Sequence, residues 1–402
     1  MDANGRVLEV HAPFDGAATA TTAYTYDQAG RRTGESFSQS NADRLATYDA
    51  DGNLCASEDV VGGAVERWVD YTYDGRGRLL SQQATTASGD HPSAAAYDYD
   101  AVGNLVGVSD DGGTWSYTSA CVHRLQSQVQ YVDRLATSFT TTYAWHDTGE
   151  LASMSYPSVT GFEAGPTTQD WELDPDSSRV LDVTTDVLPV RSNLAFDAAD
   201  RALHAALGNG ADAYASYDLQ GRVAERRVDF GGTSRLHYEL DWDAASNISR
   251  VEDQVDSDYT FDFAYDERNR LLEASSAAMG GYGYTFNAQN LMSLAAGPTA
   301  TTTRALSYDA QGNLATMTEG STTLGYAYDD FGNRVTDEGA DATFEYDALN
   351  RLRSVVDGAG QRTDTTYGYD GRRTESGDKV YLYGLGRLPI AELEVDTTGG
   401  QR

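Results

Sequence analysis

The residues best suited to chemistry stand together in short runs. Tyr326 to Asp337, YAYDDFGNRVTD, sets the carboxylates Asp329 and Asp330 among two tyrosines and an arginine, the ingredients of acid/base work beside an aromatic platform. His146, Asp147 and Glu150 offer a metal-ligating trio, and DADGN (Asp49 to Asn53) has the opening of a calcium loop. Each reading weakens against its surroundings. A calcium loop places its glycine sixth and a bidentate glutamate twelfth, whereas here the glycine is fourth and the glutamate is missing. The histidine trio falls on a turn, and the tyrosine run recurs along the chain as YTYDQAGRRTGE (Tyr24 to Glu35), YTYDGRGRLLSQ (Tyr71 to Gln82), YDYDAVGNLVGV (Tyr97 to Val108) and FAYDERNRLLEA (Phe263 to Ala274). A motif repeated this often is a structural unit before it is a site.

Aligned as Tyr-x-Tyr-Asp-x-x-Gly-(Asn/Arg)-Leu, the unit places its aspartate at Asp27, Asp49, Asp74, Asp100, Asp197, Asp218, Asp243, Asp266, Asp309, Asp329 and Asp347, mostly about 20 to 26 residues apart, a repeat-architecture period. Tyrosines two apart share a strand face. Asp-x-x-Gly carries the preferences of a type I turn, with Asp bonding the turn backbone and a left-handed residue closing it. That closing place holds Gly30, Gly52, Gly77, Gly103, Gly149, Gly221, Gly312 and Gly332, with Asn269, Asn350 and Asp200 elsewhere. Glycine, asparagine and aspartate are the residues that adopt this backbone cheaply, and only Ser246 fits poorly. Substitution follows conformation rather than side-chain reactivity, so these residues read as turn formers, not as catalysts.

The turn also sets a register in which the residue before each Asp meets the second residue after the closing position. Tyr48 then opposes Leu54, Tyr73 Leu79, Tyr99 Leu105, Tyr217 Val223, Trp242 Ile248, Tyr265 Leu271, Tyr308 Leu314 and Tyr346 Leu352. Each such pair contributes about 0.2–1 kcal/mol over alanine. On the other face Asp opposes Arg or Asn, as in Asp74 with Arg78. Tandem hairpins paired side by side make an all-β ribbon on the order of 150 Å long, two strands per repeat at ~4.8 Å each. One-sided sheets curl, so an open spiral of about one turn is expected, too short to seal a large cavity alone. Tyr265 or Leu271 changed to alanine should destabilise, and Asp266→Asn should be tolerated.

Composition agrees and narrows the function. The 402 residues include 26 Tyr and 40 Gly but only 8 Pro, and the formal charge of −33 argues against nucleic-acid phosphates or an anionic membrane as partners. Lys379 is the sole lysine, and residues 373 to 380 (RTESGDKV) form no phosphate loop. Cys55 and Cys121 lack metal or redox spacing and are expected to be small buried residues. No run has the length of a signal-peptide core or a membrane span. There is no H-E-x-x-H, no G-x-S-x-G, no paired-cysteine zinc spacing and no kinase signature, and GNGADA (Gly208 to Ala213) and GLGRLP (Gly384 to Pro389) read as turns. The expectation is a non-enzymatic protein without cofactor or metal.

Between residues 105 and 194 the period blurs. Tyr143 to Leu151 keeps the unit's length with His146 in place of Asp, Trp171 to Asp174 opens a unit carrying an insertion, and a degenerate unit is expected near Tyr117 and HRLQSQ (His123 to Gln128). SYPSVTGFEAGPTTQD reads as loop or extended crossing. Met1 precedes DANGRVLEV, a unit beginning at its Asp, and YGYDGRRTESGDKVYLYGLGRLPIAELEVD contains a shortened unit and a further hairpin. The chain therefore reads as a piece of something longer, whose free strand edges would invite self-association.

These Tyr-Asp units resemble the YD repeats of the RHS family, which includes Rhs effectors, toxin-complex B and C components, wall-associated proteins and teneurins. Tyr156-Pro157 with a following glycine is similar to the family's YP-x-G variant. The resemblance implies a β-spiral shell that encloses a C-terminal toxic cargo in the toxin members and serves adhesion in teneurins. It implies a repeat array over 1–378 and the start of the RHS-associated core over 379–402. The family's D-P-x-G-x-x-x-G self-cleavage motif is not matched, since Asp174-Pro175 continues DSSR. The leading expectation is a shell segment, secreted or delivered as part of a longer RHS polypeptide that contains its cargo. The second is an extracellular module binding glycan or a cell-surface protein through exposed tyrosines. An embedded enzyme comes third, with no motif behind it.

Overall fold

The computed structural model describes the chain except residues 15–17, 39, 41, 91, 121–123, 159–166, 188, 288–290, 299–302 and 396–402. Among the described residues 35 strands form one antiparallel meander, interrupted only by the 3-10 turns Asp133–Leu135 and Ser257–Tyr259. Each strand pairs with its neighbours in sequence, from Glu9–Phe14 on Ala18–Tyr26 to Lys379–Tyr383 on Pro389–Glu394. Local turns and alternating strands account for this connectivity. Most connections are short, and pairing a strand with its successor closes the smallest loop.

The cross-strand register follows the turns. Tyr48 lies opposite Leu54, Tyr73 opposite Leu79, Tyr99 opposite Leu105, Tyr217 opposite Val223, Trp242 opposite Ile248, Tyr265 opposite Leu271, Tyr308 opposite Leu314 and Tyr346 opposite Leu352. A one-residue irregularity next to each of these pairs marks the bulge that the left-handed residue creates. All YD turns lie along one edge of the ribbon, which we call the YD edge. The remaining connections, several of them tight glycine turns such as Gly62-Gly63 and Gly231-Gly232 at positive φ, line the opposite, return edge.

The irregular stretch keeps the same plan. Ser119 pairs with Leu125 across residues 121–123, which include Cys121 and His123 and lie outside the described set, so the flanking strands of the degenerate unit keep the register of the others. Leu173 pairs with Val180, one residue further than usual, and Ser178 supplies the left-handed residue at φ 57°. Near the end the expected shortened unit is instead full length. Gly368 takes the aspartate's place, its amide bonding Arg372 O and its carbonyl accepting from Gly371, while Tyr369 and Asp370 form the tip. The literal Tyr-Asp at 369–370 was misleading because backbone spacing, not the dipeptide, fixes the turn. Cys55 is half-buried rather than buried, its thiol 3.4 Å from Thr47 O.

The ribbon does more than approach one turn, because its last strands return to its first. Arg67 bonds Asn350, Ser93 accepts from Arg351, Tyr117 meets Tyr369, and Arg134 reaches Gly377 O, across sequence separations of 243 to 283 residues. These contacts join strands about 22 to 25 steps apart, so at ~4.8 Å per step the closed path is roughly 110 Å, a ring about 35 Å across. Most of the best-buried apolar side chains lie on this seam. Val132 and Phe139 from the first coil pack with Val380, Leu382, Leu393 and Val395, Val108 and Trp115 pack with Tyr381 and Tyr383, and Val69 and Ala84 pack with Ala348.

Candidate functional site

Two features gather the polar chemistry of the molecule: the repeated turn and the seam between coils. In the turn the aspartate amide donates to the carbonyl four residues on, and the closing residue's amide donates back to the aspartate carbonyl, as between Asp74, Gly77 and Arg78. The carboxylate then divides its work. At Asp27, Asp74, Asp218, Asp266 and Asp347, Oδ1 accepts the arginine amide four residues on and Oδ2 accepts that arginine's Nε at 2.6–2.7 Å. At Asp49, Asp100, Asp309 and Asp329 an asparagine makes the same two contacts through its amide and Nδ2. The residues at the closing place have left-handed φ: Gly30, Gly52, Gly77, Gly103, Gly221, Gly312 and Gly332 between 76° and 104°, Asn269 at 59° and Asn350 at 65°.

Adjacent units are locked by the same side chains. The Arg31 guanidinium lies 4.6 Å from the Tyr48 ring centre and donates to Asp49 O, Arg78 lies 4.6 Å over Tyr99 and donates to Asp100 O, and Arg351 lies 4.8 Å over Tyr367 and donates to Gly368 O. In return several tyrosine hydroxyls reach back one unit, Tyr73 to Leu54 O at 2.8 Å, Tyr308 to Met292 O at 2.6 Å and Tyr367 to Leu352 O at 2.7 Å. The charged pair and the aromatic layer, expected on opposite faces, therefore meet at the YD edge. Sequence reasoning missed this coupling because it joins consecutive repeats rather than the two strands of one hairpin. It also missed the unit at Asn287, where Phe286 pairs with Met292 and Leu291 N donates to Asn287 Oδ1. The signal was there in FNAQNLM, with asparagine in place of aspartate.

That unit revises the expectation for Asp266. Asparagine stands at the aspartate's place where leucine, not arginine or asparagine, stands four residues on. In Asp266→Asn the new amide N–H would face the Arg270 Nε, now 2.6 Å from Oδ2, donor against donor. We expect this variant to melt below the wild type, with Arg270→Leu restoring part of the loss in the double variant, as thermal denaturation would register. A second prediction concerns Ser246, which holds φ 67° without being glycine or asparagine. Its left-handed strain of about 1–2 kcal/mol exceeds the roughly 0.5–1 kcal/mol entropy cost of glycine, so Ser246→Gly should raise stability by about 0.5 kcal/mol in urea unfolding. Ser246→Ala should not.

The candidate metal ligands do not assemble. His146 Nε2 lies 3.1 Å from Trp171 O in the next unit, and among the described residues no group of three His, Cys, Asp or Glu side chains could hold an ion. Both Asp49 oxygens of the calcium-like run are taken by Asn53. Among the described residues no helix is long and apolar enough to cross a membrane.

At the seam Arg67, 7% exposed, is held by Asp59 Oδ2 at 2.6 and 3.1 Å, by Asn350 Oδ1 at 2.5 Å, and by stacking 3.6 Å over Phe331. Asp110 accepts the amides of Tyr369 and Gly112 and the Trp115 indole N–H, while burial pushes its carboxyl above the ordinary range. Gln128 and Gln130 donate to the carbonyls of Tyr383 and Tyr381. Thus the YD edge of the later coil, at Phe331, Leu349 and Tyr369, rests on the return edge of the earlier one.

Comparison with known proteins agrees with this geometry. A Teneurin YD-shell model matches residues 195–380 and an RHS Repeat model matches residues 2–38. No curated protein matches the sequence. Among solved structures, the TcdB2-TccC3-TEV crystal structure is similar at 15% identity with a TM-score of 0.68, over 99% of this chain and 24% of that one. A Photorhabdus luminescens Tc holotoxin pore structure is similar at 15% identity and TM-score 0.65, over 97% of this chain and 23% of that one. The chain thus spans about a quarter of the length of these chains, and at this identity the likeness is one of fold. With repeat grammar, coil seam and family models in agreement, the chain belongs to the RHS/YD-repeat family and has the fold of a segment of a YD-shell wall.

Proposed function

We propose that the chain is a structural, non-enzymatic wall segment of a longer RHS polypeptide of the polymorphic-toxin type, secreted or delivered by a secretion system, which encloses a C-terminal cargo. The observation that carries this reading is the seam, since a ribbon whose edges lock coil on coil makes a wall, whereas a recognition module needs no such closure. The ring of about 35 Å, less about 5 Å of side chain on each inner side, leaves a passage roughly 25 Å wide. A single helix of about 10–12 Å passes, but a folded 100-residue domain, with a radius of gyration of about 13 Å, does not. Cargo held within this coil is therefore extended or partly unfolded.

The alternative, a glycan or cell-surface module working through tyrosines, has less support. Many tyrosines of the repeat are covered by arginine, as Tyr48 and Tyr99 are, or spend their hydroxyls on the preceding unit, as Tyr73 and Tyr308 do. Clefts do flank Phe331 at the seam, but they are lined by turn residues such as Asp329 and Asp347, whose carboxylates are already bonded within their own turns. A β-barrel fluorescent reporter placed as the C-terminal cargo of the longer polypeptide tests the proposal. It should be dark and protease-resistant inside the shell and become fluorescent after release. A reporter that is bright and freely digested from the outset would contradict enclosure.

A further inference from the structure

The seam covers only part of the return edge. Between Val60 and Val132 that edge lies under turn tips of the later coil, and those tips share a feature: the first or second tip residue is large and apolar or aromatic, as in Phe331, Leu349 and Tyr369. Most other tips are small or polar, among them Gln28-Ala29, Ala50-Asp51, Ala198-Ala199, Ala244-Ala245 and Glu267-Arg268. Beyond the seam the return edge continues uncovered and still apolar. Val187, Val255, Tyr259 and Met279 at its turns, and Val190 and Phe230 on the strand ends beside them, are between 44% and 58% exposed. Two YD tips are apolar and likewise uncovered, Val102 at 69% exposure and Leu219 fully exposed.

We propose that this uncovered return edge is a docking rail for apolar YD tips, and that in the 402-residue chain the occupant is a second copy, which enters tip-first with Val102 and Leu219. The argument is continuity with an interface the molecule already makes, in which an apolar tip from the YD edge rests on an apolar return edge. Tip and rail lie on opposite edges of one ribbon, so the contact is heterologous. Each copy bound on one side leaves its other side open, and association proceeds head to tail without closing. This inference rests on the seam geometry alone and stands apart from whether the wall encloses cargo.

The formal charge of −33 opposes the approach of two copies, so added salt should strengthen the association by screening, opposite to an interface held by ion pairs. Sedimentation velocity across the micromolar range should show species growing with concentration. Leu219→Asp, and separately Phe230→Ser, should each weaken the association by about tenfold or more. The decisive arm mixes a tip-blocked copy (Leu219→Asp with Val102→Asp) and a rail-blocked copy (Phe230→Ser with Tyr259→Ser). Each alone should be monomeric, and the mixture should form a one-to-one dimer that grows no further. Thermal melts establish that the variants are folded, and Met279→Gln replaces Phe230→Ser as the rail change should the latter unfold. A wild-type chain that stays monomeric throughout, or association indifferent to both sets of changes, overturns the proposal.

Discussion

Leu382→Ala is expected to cost about 3 kcal/mol, within the range for removing a fully buried leucine. Leu382 is 1% exposed and packs among Val132, Phe139, Val380, Leu393 and Val395, a cluster that joins the last hairpin to strands some 250 residues earlier. The consequence differs from that of a lesion inside one repeat. In an open array, stability is a sum of units and nearest-neighbour contacts, and damage stays local. Here the seam couples the two coils, so its loss should also free the later coil from the earlier one. Urea unfolding should broaden or split, and limited proteolysis should open the chain first in its C-terminal strands. Leu388→Ala is the control: Leu388 is 80% exposed, and its loss should stay within about 0.5 kcal/mol. Equal effects from both substitutions would contradict a seam that carries stability.

The hairpins were legible because everything that fixes them is local. In YTYDGRGRLLSQ the alternation of Tyr71 and Tyr73, the bonding reach of Asp74 and the left-handed Gly77 lie within one short run, and together they leave a single register. The seam was not legible in the same way. Arg67 and Asn350 are 283 residues apart, and nothing near either announces the other. The one visible sign was at the tips, where Phe331, Leu349 and Tyr369 break a habit of small or polar residues, but in a sequence they read as tolerated variation in a turn. The unit at Gly368 shows the converse error, in which a familiar dipeptide drew attention from the backbone spacing that decides the turn.

The same division between turn and seam sets the response to acid. In Asp27, Asp74 and Asp266 the backbone amide of the arginine four residues on, and then its guanidinium, hold the carboxyl below the ordinary range, to about 2 for Asp74 and Asp266. In Asp49, Asp100 and Asp243 the asparagine side chain is the larger cause, and in Asp197 the Arg201 side chain. A carboxyl whose folded value lies below its unfolded value of about 3.9 contributes stability that is complete above that value and is lost as the pH falls toward 2. Because the lowered value recurs from unit to unit, the losses accumulate along the ribbon. Asp110 and Glu375, at the seam, go the other way. Burial raises both, so their ionisation weakens the fold at neutral pH, and protonation relieves it. The negative charge of the whole chain also falls toward zero at its pI of about 4.3. From pH 7 to about 5 the melting temperature should therefore hold or rise, and between about pH 4 and 2 it should fall steeply as turn after turn loses its carboxylate. Circular dichroism melts across that range, at protein concentrations low enough to avoid precipitation near the pI, would check the profile. A melting temperature unchanged down to pH 2 would mean that the aspartates are ornaments of the turn rather than what holds it.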